Sequence, residues 1–262
     1  MLSNLLLLCF TAHVLGDFYL QSDKTARSKN KNLGRLIYHA LIYSIPFAVI
    51  FAITGLSLRH GVFWLIPCAA HLGIDLLKFG FYKSGLHKLC ADKLKIKDWT
   101  IYLVDQSLHI VSILVIVLFF GSFFGKIQIY PALAGFFTPL GIDAVPLLKW
   151  FLLILCIYKP ANVTFIKLFS NYKPDSRENP SISVSTGSKL DKRAGAIIGF
   201  LERILIVIFI SIQQYSAIGL ILTAKSIARY DNIVKNQDFA EYYLIGTLSS
   251  VLFSVVLYAA IF

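Results

Sequence analysis

Long apolar stretches separated by short polar ones run through most of the chain. Read for length, the pattern predicts membrane-crossing helices over 2–21, 36–58, 61–81, 99–124, 146–169, 194–213, 215–230 and 239–262, since a span needs roughly 20 mostly apolar residues. The seventh is short and ends in Lys225 and Arg229, so it counts as a full or a half span. Residues 127–143 hold Pro131, Gly135, Pro139 and Gly141 and read as a loop or re-entrant piece. The one clearly hydrophilic stretch is 171–192. The expected architecture is an all-α polytopic transmembrane helical bundle of seven or eight spans. Its three regions are a front domain (1–125), a connecting region with one span and the linker (126–192), and a C-terminal helical domain (193–262).

Composition agrees with that reading. Of 262 residues, 57% are hydrophobic and 15% charged, with a mean hydropathy of +0.71. Soluble domains are about half apolar and about a quarter charged, so that class is excluded. Disorder, collagen and coiled coil go with it, given 21 Phe and 13 Tyr. The excess of 25 Lys+Arg over 14 Asp+Glu gives +11. In a chain this apolar, basic cytoplasmic loops explain the charge better than nucleic acid, which is not an expected partner. Cys9, Cys68, Cys90 and Cys156 form no CxxC pair, so neither a disulfide framework nor a zinc ribbon is indicated. The first stretch lacks a positive leader and is interrupted by His13 and Asp17, which favours a retained span over a cleaved signal.

Loop charge orients the bundle. Lys24, Arg27, Lys29, Lys31 and Arg35 lie in the first loop, six lysines between Lys78 and Lys97 in the third, and Lys173, Arg177, Lys189, Lys192 and Arg193 in the fifth. By the positive-inside rule these loops are cytoplasmic and the N-terminus is external. The basic amphipathic stretch 83–97 is expected to lie along the inner surface.

Ionisable residues within spans are costly and point to function. Span one contains Ala12-His13-Val14-Leu15-Gly16-Asp17 and span three Ala70-His71-Leu72-Gly73-Ile74-Asp75, both A-H-x-x-x-D. Span four carries the pair in reverse, Asp105 and His109, and span two adds His39. Residues i and i+4 share a helix face, with Cβ atoms about 5–6 Å apart, so each pair can converge on one ion. At about 1.5 Å of rise per residue, all seven groups fall at one depth near the cytoplasmic leaflet. The two motif-bearing helices run in the same direction and each is followed by a returning helix. The front half therefore reads as a duplicated helical hairpin with a parallel repeat.

Imidazole with carboxylate and no thiolate suits zinc, manganese or iron. Zinc is the metal favoured, one or two ions, with an anionic lipid or lipid phosphate as substrate. Two-metal sites hold the attacking and leaving oxygens of a phosphoester. The general base would be whichever of Asp17, Asp75 and Asp105 is not a ligand. Gln21, Lys24, Arg27 and Lys78 border the site and are candidate holders of an anionic headgroup. In the rear half Glu202, beside Arg203, is an acidic residue in the middle of a span. Glu202, Lys225 and Arg229 are candidates for substrate binding or for structural pairing.

At these motifs the chain resembles a domain-of-unknown-function family of bacterial integral membrane proteins. AHVLGDFYLQSD, the lone His39, AHLGIDLLK and DQSLH carry the resemblance. The stretches GFLERILIVIF, QYSAIGLILTAKSIARY and AEYYLIGTLSS look like the extension of its longer members. The His/Asp pattern is similar to that of membrane-bound metal-dependent hydrolases, a group placed near zinc-dependent phospholipase C and related single-strand nucleases. The resemblance implies a bacterial inner-membrane phosphoester hydrolase, with His13, Asp17, His39, His71, Asp75, Asp105 and His109 around the metal. The soluble enzymes also use their N-terminal amine as a ligand, which has no counterpart where Met1 begins a span on the far side. Two other readings stay open on the same residues: a proton- or metal-ion-coupled transporter, and a non-catalytic scaffold with a structural metal.

Overall fold

The computed structural model describes residues 2–54, 58–120, 143–169, 172 and 189–262. The expected loop at 127–143 and linker at 171–192 lie almost wholly outside the described residues, as do Lys126, Lys173 and Arg177. Among the described residues the secondary structure is helical, with no strand. Among the described residues, five helices are long and apolar enough to cross a membrane: Leu33–Thr54, His60–Lys83, Asp98–Phe119, Ala144–Phe169 and Gln237–Ile261. Asn4–Tyr19 and Tyr215–Ile227 are apolar but shorter. Together with the composition, they make this an integral membrane protein.

The chain divides into two compact units, Met1–Leu152 and Leu153–Phe262. The first contains α1 (Leu2–Val14), α2 (Asp23–Ser28), α3 (Leu33–Thr54), α4 (Leu58–Lys83), α5 (Leu86–Leu94) and α6 (Asp98–Phe120). Within it α3 packs on α4, α4 on α6, and α1 on both α3 and α6. Leu5, Cys9, Ala12, Tyr43, Phe47, Phe63, Trp64, Ile113 and Val117 form the apolar core. The outward faces stay apolar as well: Leu77 is 76% and Phe119 74% exposed. That is the pattern of a helix whose second solvent is lipid.

Between α1 and α2 the backbone makes a π-helical turn, Leu15–Tyr19, closed by the Leu20 amide donating to the Leu15 carbonyl at 2.9 Å. A π turn winds more residues per turn than an α-helix and recurs at functional sites. α2 is capped by Ser22, whose Oγ accepts from the Thr25 amide. α5 has no buried residue and is entered through Gly85 at φ +75°. Only glycine adopts that conformation without strain.

The second unit contains α8 (Lys189–Ser211), α9 (Tyr215–Ile227), α10 (Tyr230–Lys235) and α11 (Gln237–Ile261), following the helix α7 (Ala144–Phe169) in which the boundary falls. α8 packs on α9 and α11, and α10 on α11.

Candidate functional site

Each of the seven His and Asp residues singled out above is buried. His39, His71 and His109 are 1% exposed, His13 and Asp75 3%, Asp105 7% and Asp17 8%. α1 supplies His13, the π turn Asp17, α3 His39, α4 His71 and Asp75, and α6 Asp105 and His109.

His39 Nε2 stands at the middle of the cluster. It lies 3.1 Å from His71 Nε2, 3.3 Å from Asp17 Oδ1 and 3.4 Å from Asp75 Oδ2. His71 Nε2 is 3.5 Å from Asp75 Oδ2, so the α4 pair does face one point. Two sets of three residues present ligand atoms within 4.8 Å of one another: Asp17, His39 and His71, and His71, Asp75 and His109. His71 belongs to both.

The α1 pair behaves differently. The π turn carries Asp17 past the face on which an i+4 residue of an α-helix would lie, and it meets His39 on α3. His13 Nδ1 instead shares a 3.1 Å hydrogen bond with the Tyr43 hydroxyl, and its ring stacks against His109 at 5.6 Å. Tyr43 lies flat on His71, with centroids 3.6 Å apart and planes at 6°. The approach of the π turn to α3 that permits this is close. A Cβ on Gly16 would meet Tyr43 Cδ2 at 2.7 Å and the Tyr43 carbonyl oxygen at 3.1 Å.

The donor set fits a divalent cation. His109 Nδ1 donates to the Asp105 carbonyl at 2.8 Å. In the neutral ring this leaves Nε2 with its lone pair free, the usual arrangement behind a ligating histidine. That Nε2 is buried with no hydrogen-bond partner, as is Asp75 Oδ1. Orphaned acceptors of this kind are rare in folded proteins and call for an explanation. A bound cation supplies one.

Residues around the cluster divide into those that touch it and those that do not. Gln21, with its amide turned to satisfy both groups, donates to Asp17 Oδ1 at 3.2 Å and to the Asp17 carbonyl at 2.8 Å. Lys78 Nζ donates to Asp105 Oδ2 at 2.7 Å. Lys24 and Arg27 are exposed on α2, where they line an open cavity of about 550 Å³ with Asp23, Ser28, Lys31 and Asn32. Between α4, α5 and α6 a second cavity of about 340 Å³ is walled by Ile74, Leu77, Phe81, Ile101, Val104 and Leu108, with Lys78 and Asp105 also in its lining.

Three participants carried no distinguishing signal in the sequence. Gln106, beside Asp105, donates to Asp17 Oδ2 at 3.2 Å. Tyr43 stands one turn after His39 and looked like any apolar span residue. Lys29, one of five cations in the first loop, is 6% exposed, with Nζ 3.0 Å from Asp75 Oδ2 and 3.6 Å from Asp17 Oδ1. Burial alone would lower its pKa, but the Asp17 and Asp75 carboxylates outweigh it and hold the ammonium above the ordinary lysine value.

Residues 5–134 match the model of the family described as "Protein of unknown function (DUF3307)". Every member of the His/Asp cluster lies inside the DUF3307 match, and so do Lys29, Tyr43, Lys78 and Gln106. The rear stretches beginning at GFLERILIVIF lie outside it. Comparison with curated proteins and with solved structures found no match.

In the second unit Glu202 is 5% exposed and takes Lys225 as its partner, at 2.8 and 2.9 Å to its two oxygens. Lys225 also donates to Thr247 Oγ1 at 3.1 Å and lies 5.1 Å over the Tyr243 ring. Arg203 turns the other way and donates through Nε to the Ile157 carbonyl at 2.6 Å. Ile157 lies in the helical turn before Pro160, whose missing N–H removes the partner of the Cys156 carbonyl one residue earlier. Arg229 is exposed at the start of α10.

Proposed function

We propose that this protein is a metal-dependent hydrolase of the bacterial inner membrane, acting on a phosphoester of a lipid or other amphiphile at the cytoplasmic leaflet. The observation that carries the proposal is the pair of overlapping ligand sets that share His71 in the interior of the first unit. Asp17, His39, His71, Asp75 and His109 would hold one or two zinc ions. When bound, zinc lowers the pKa of a coordinated water towards neutrality and polarises a phosphoryl oxygen.

The chain's own residues then have separable tasks. Asp105 belongs to neither ligand set, and its Oδ1 has no hydrogen-bond partner. It is the carboxylate left to accept the proton of the attacking water, while Lys78 holds its other oxygen. Tyr43 keeps the His13 and His71 rings in place. Lys24 and Arg27 offer their charges to an anionic headgroup at the cavity on α2. The cavity lined in part by Lys78 and Asp105 is mostly apolar and falls within the roughly 300–1,000 Å³ of small-molecule sites, which suits a hydrocarbon chain.

The topology belongs to the same proposal. Seven or eight spans with an external N-terminus would place the cluster at the cytoplasmic end of the front half, which arose as a repeated helical hairpin. Against transport as the main role stands the core next to the cluster. Phe47, Phe63, Trp64, Ile113 and Val117 pack there with Tyr43, which stacks on His71, and make that side of the cluster largely apolar.

Metal analysis of protein purified in detergent tests the reading. It predicts one or two zinc ions per chain, none in His71→Ala, and phosphate release from phosphatidic acid vesicles that Asp105→Asn abolishes without loss of metal. Wild-type protein that neither carries nor binds a transition metal would sink the hydrolase and return the cluster to the transporter reading. Metal retained with no hydrolysis of any lipid phosphate would favour the scaffold.

A further inference from the structure

The cluster already holds a cation, and that cation is a side chain. Lys29 Nζ lies against Asp75 Oδ2 and Asp17 Oδ1, one carboxylate from each of the two ligand sets. We propose that Lys29 is an exchangeable counter-ion: it offsets one of the two carboxylate charges when the site has no metal, and a divalent cation binds by displacing it. This inference rests on the metal reading above and adds a step that any metal-binding site built from these residues would have to include.

Geometry and charge both require the exchange. Zinc takes its oxygen and nitrogen ligands at about 2.0–2.2 Å. The atoms that would close on it include Asp17 Oδ1, His39 Nε2 and His71 Nε2, all within 3.6 Å of one another or of the ammonium along the chain of contacts. An ammonium left in that space would be a second cation in contact with the first. With Asp105 paired to Lys78, Asp17 and Asp75 bring two negative charges to the pocket and Lys29 one positive. The pocket is one charge short of neutral with the lysine alone, one over with lysine and zinc together, and neutral with zinc alone. Buried sites of low dielectric favour the neutral combination strongly.

The fold gives Lys29 somewhere to go. It is the residue at the C-terminal end of α2, a helix of six residues between two turns. Its neighbours Lys24, Arg27 and Lys31 are exposed at the cavity on that helix. A rotation of the long lysine stem carries the ammonium from the carboxylates to this basic rim, because such stems tolerate apolar surroundings while the head seeks polar ones. Metal binding would thereby add a fourth cation to the face that the proposed function assigns to an anionic headgroup.

The exchange is read on the wild-type protein by acetylating lysines with N-hydroxysuccinimidyl acetate and quantifying each site by mass spectrometry. Chelator-treated and zinc-saturated samples are compared. Lys24 and Lys31 serve as internal references for reagent access. The expected result is at least a tenfold rise in the Lys29 rate relative to theirs when zinc is added. Zinc binding demonstrated by metal analysis with an unchanged Lys29 rate overturns the exchange and leaves the metal site standing. If zinc does not bind at all, the metal reading and the exchange fail together. A second arm measures zinc affinity of Lys29→Met, which should be at least tenfold tighter than wild type; equal affinity also overturns the proposal.

Discussion

Replacing Gly16 by Ala puts a methyl group 2.7 Å from Tyr43 Cδ2, 3.1 Å from the Tyr43 carbonyl oxygen and 3.2 Å from its Cα. The ring carbon could move, but the other two atoms are α3 backbone and cannot. Overpacking of this kind costs about 1–3 kcal/mol. The corresponding motif on α4 has Gly73, where a Cβ meets nothing within 4 Å. There the same substitution removes a helix-interior glycine and gains up to about 1 kcal/mol. The two changes should therefore shift stability in opposite directions, by about 2–4 °C of Tm for each kcal/mol in a domain this size. Thermal unfolding of detergent-solubilised protein, followed by tryptophan fluorescence, measures both. Because Tyr43 stacks on His71 at 3.6 Å, Gly16→Ala should also weaken zinc binding, whereas Gly73→Ala should not. Unfolding of Gly16→Ala within a degree of wild type, with zinc affinity intact, would refute the close approach of the π turn and α3 on which the cluster's geometry depends.

Other expectations follow from the same contacts. Zinc at about 100 times its Kd contributes about 2.7 kcal/mol to stability, so a chelator should lower the Tm of zinc-loaded protein by several degrees and leave His71→Ala unchanged. Arg203→Met deprives the Ile157 carbonyl of its donor and should cost about 1–3 kcal/mol. Thermal unfolding of the purified variant measures the loss, and a Tm equal to wild type would mean that the contact contributes nothing. Glu202→Gln and Lys225→Met should couple by about 1–2 kcal/mol rather than add, discounted because the Lys225 side chain is 24% exposed; additive losses would mean that the pair contributes nothing.

What could be read from the chain alone was whatever depends on local spacing. Helix length, burial of the spans in lipid and the recurrence of A-H-x-x-x-D need only the count of residues between apolar and polar positions, because an α-helix converts sequence spacing into direction and depth. The rule held for His71 and Asp75, where α4 is regular. It did not carry over to His13 and Asp17, because the turn at Leu15–Tyr19 is π rather than α and rotates Asp17 towards His39. No residue type in that stretch announces the extra winding.

Pairing across helices was decided by the tertiary structure. Glu202 had Arg203, Lys225 and Arg229 as possible partners; packing of α8 against α9 and α11 selects Lys225 with Thr247, and Arg203 turns to the Ile157 carbonyl. Lys29 is the clearest case. In sequence it is one of several loop cations that report orientation, indistinguishable from Lys24 or Lys31. Only the fold, in which α2 packs on α3, brings its ammonium to Asp17 and Asp75. A loop charge has no periodicity to betray where it points; its role is set by which buried carboxylates need neutralising once the helices have closed around them.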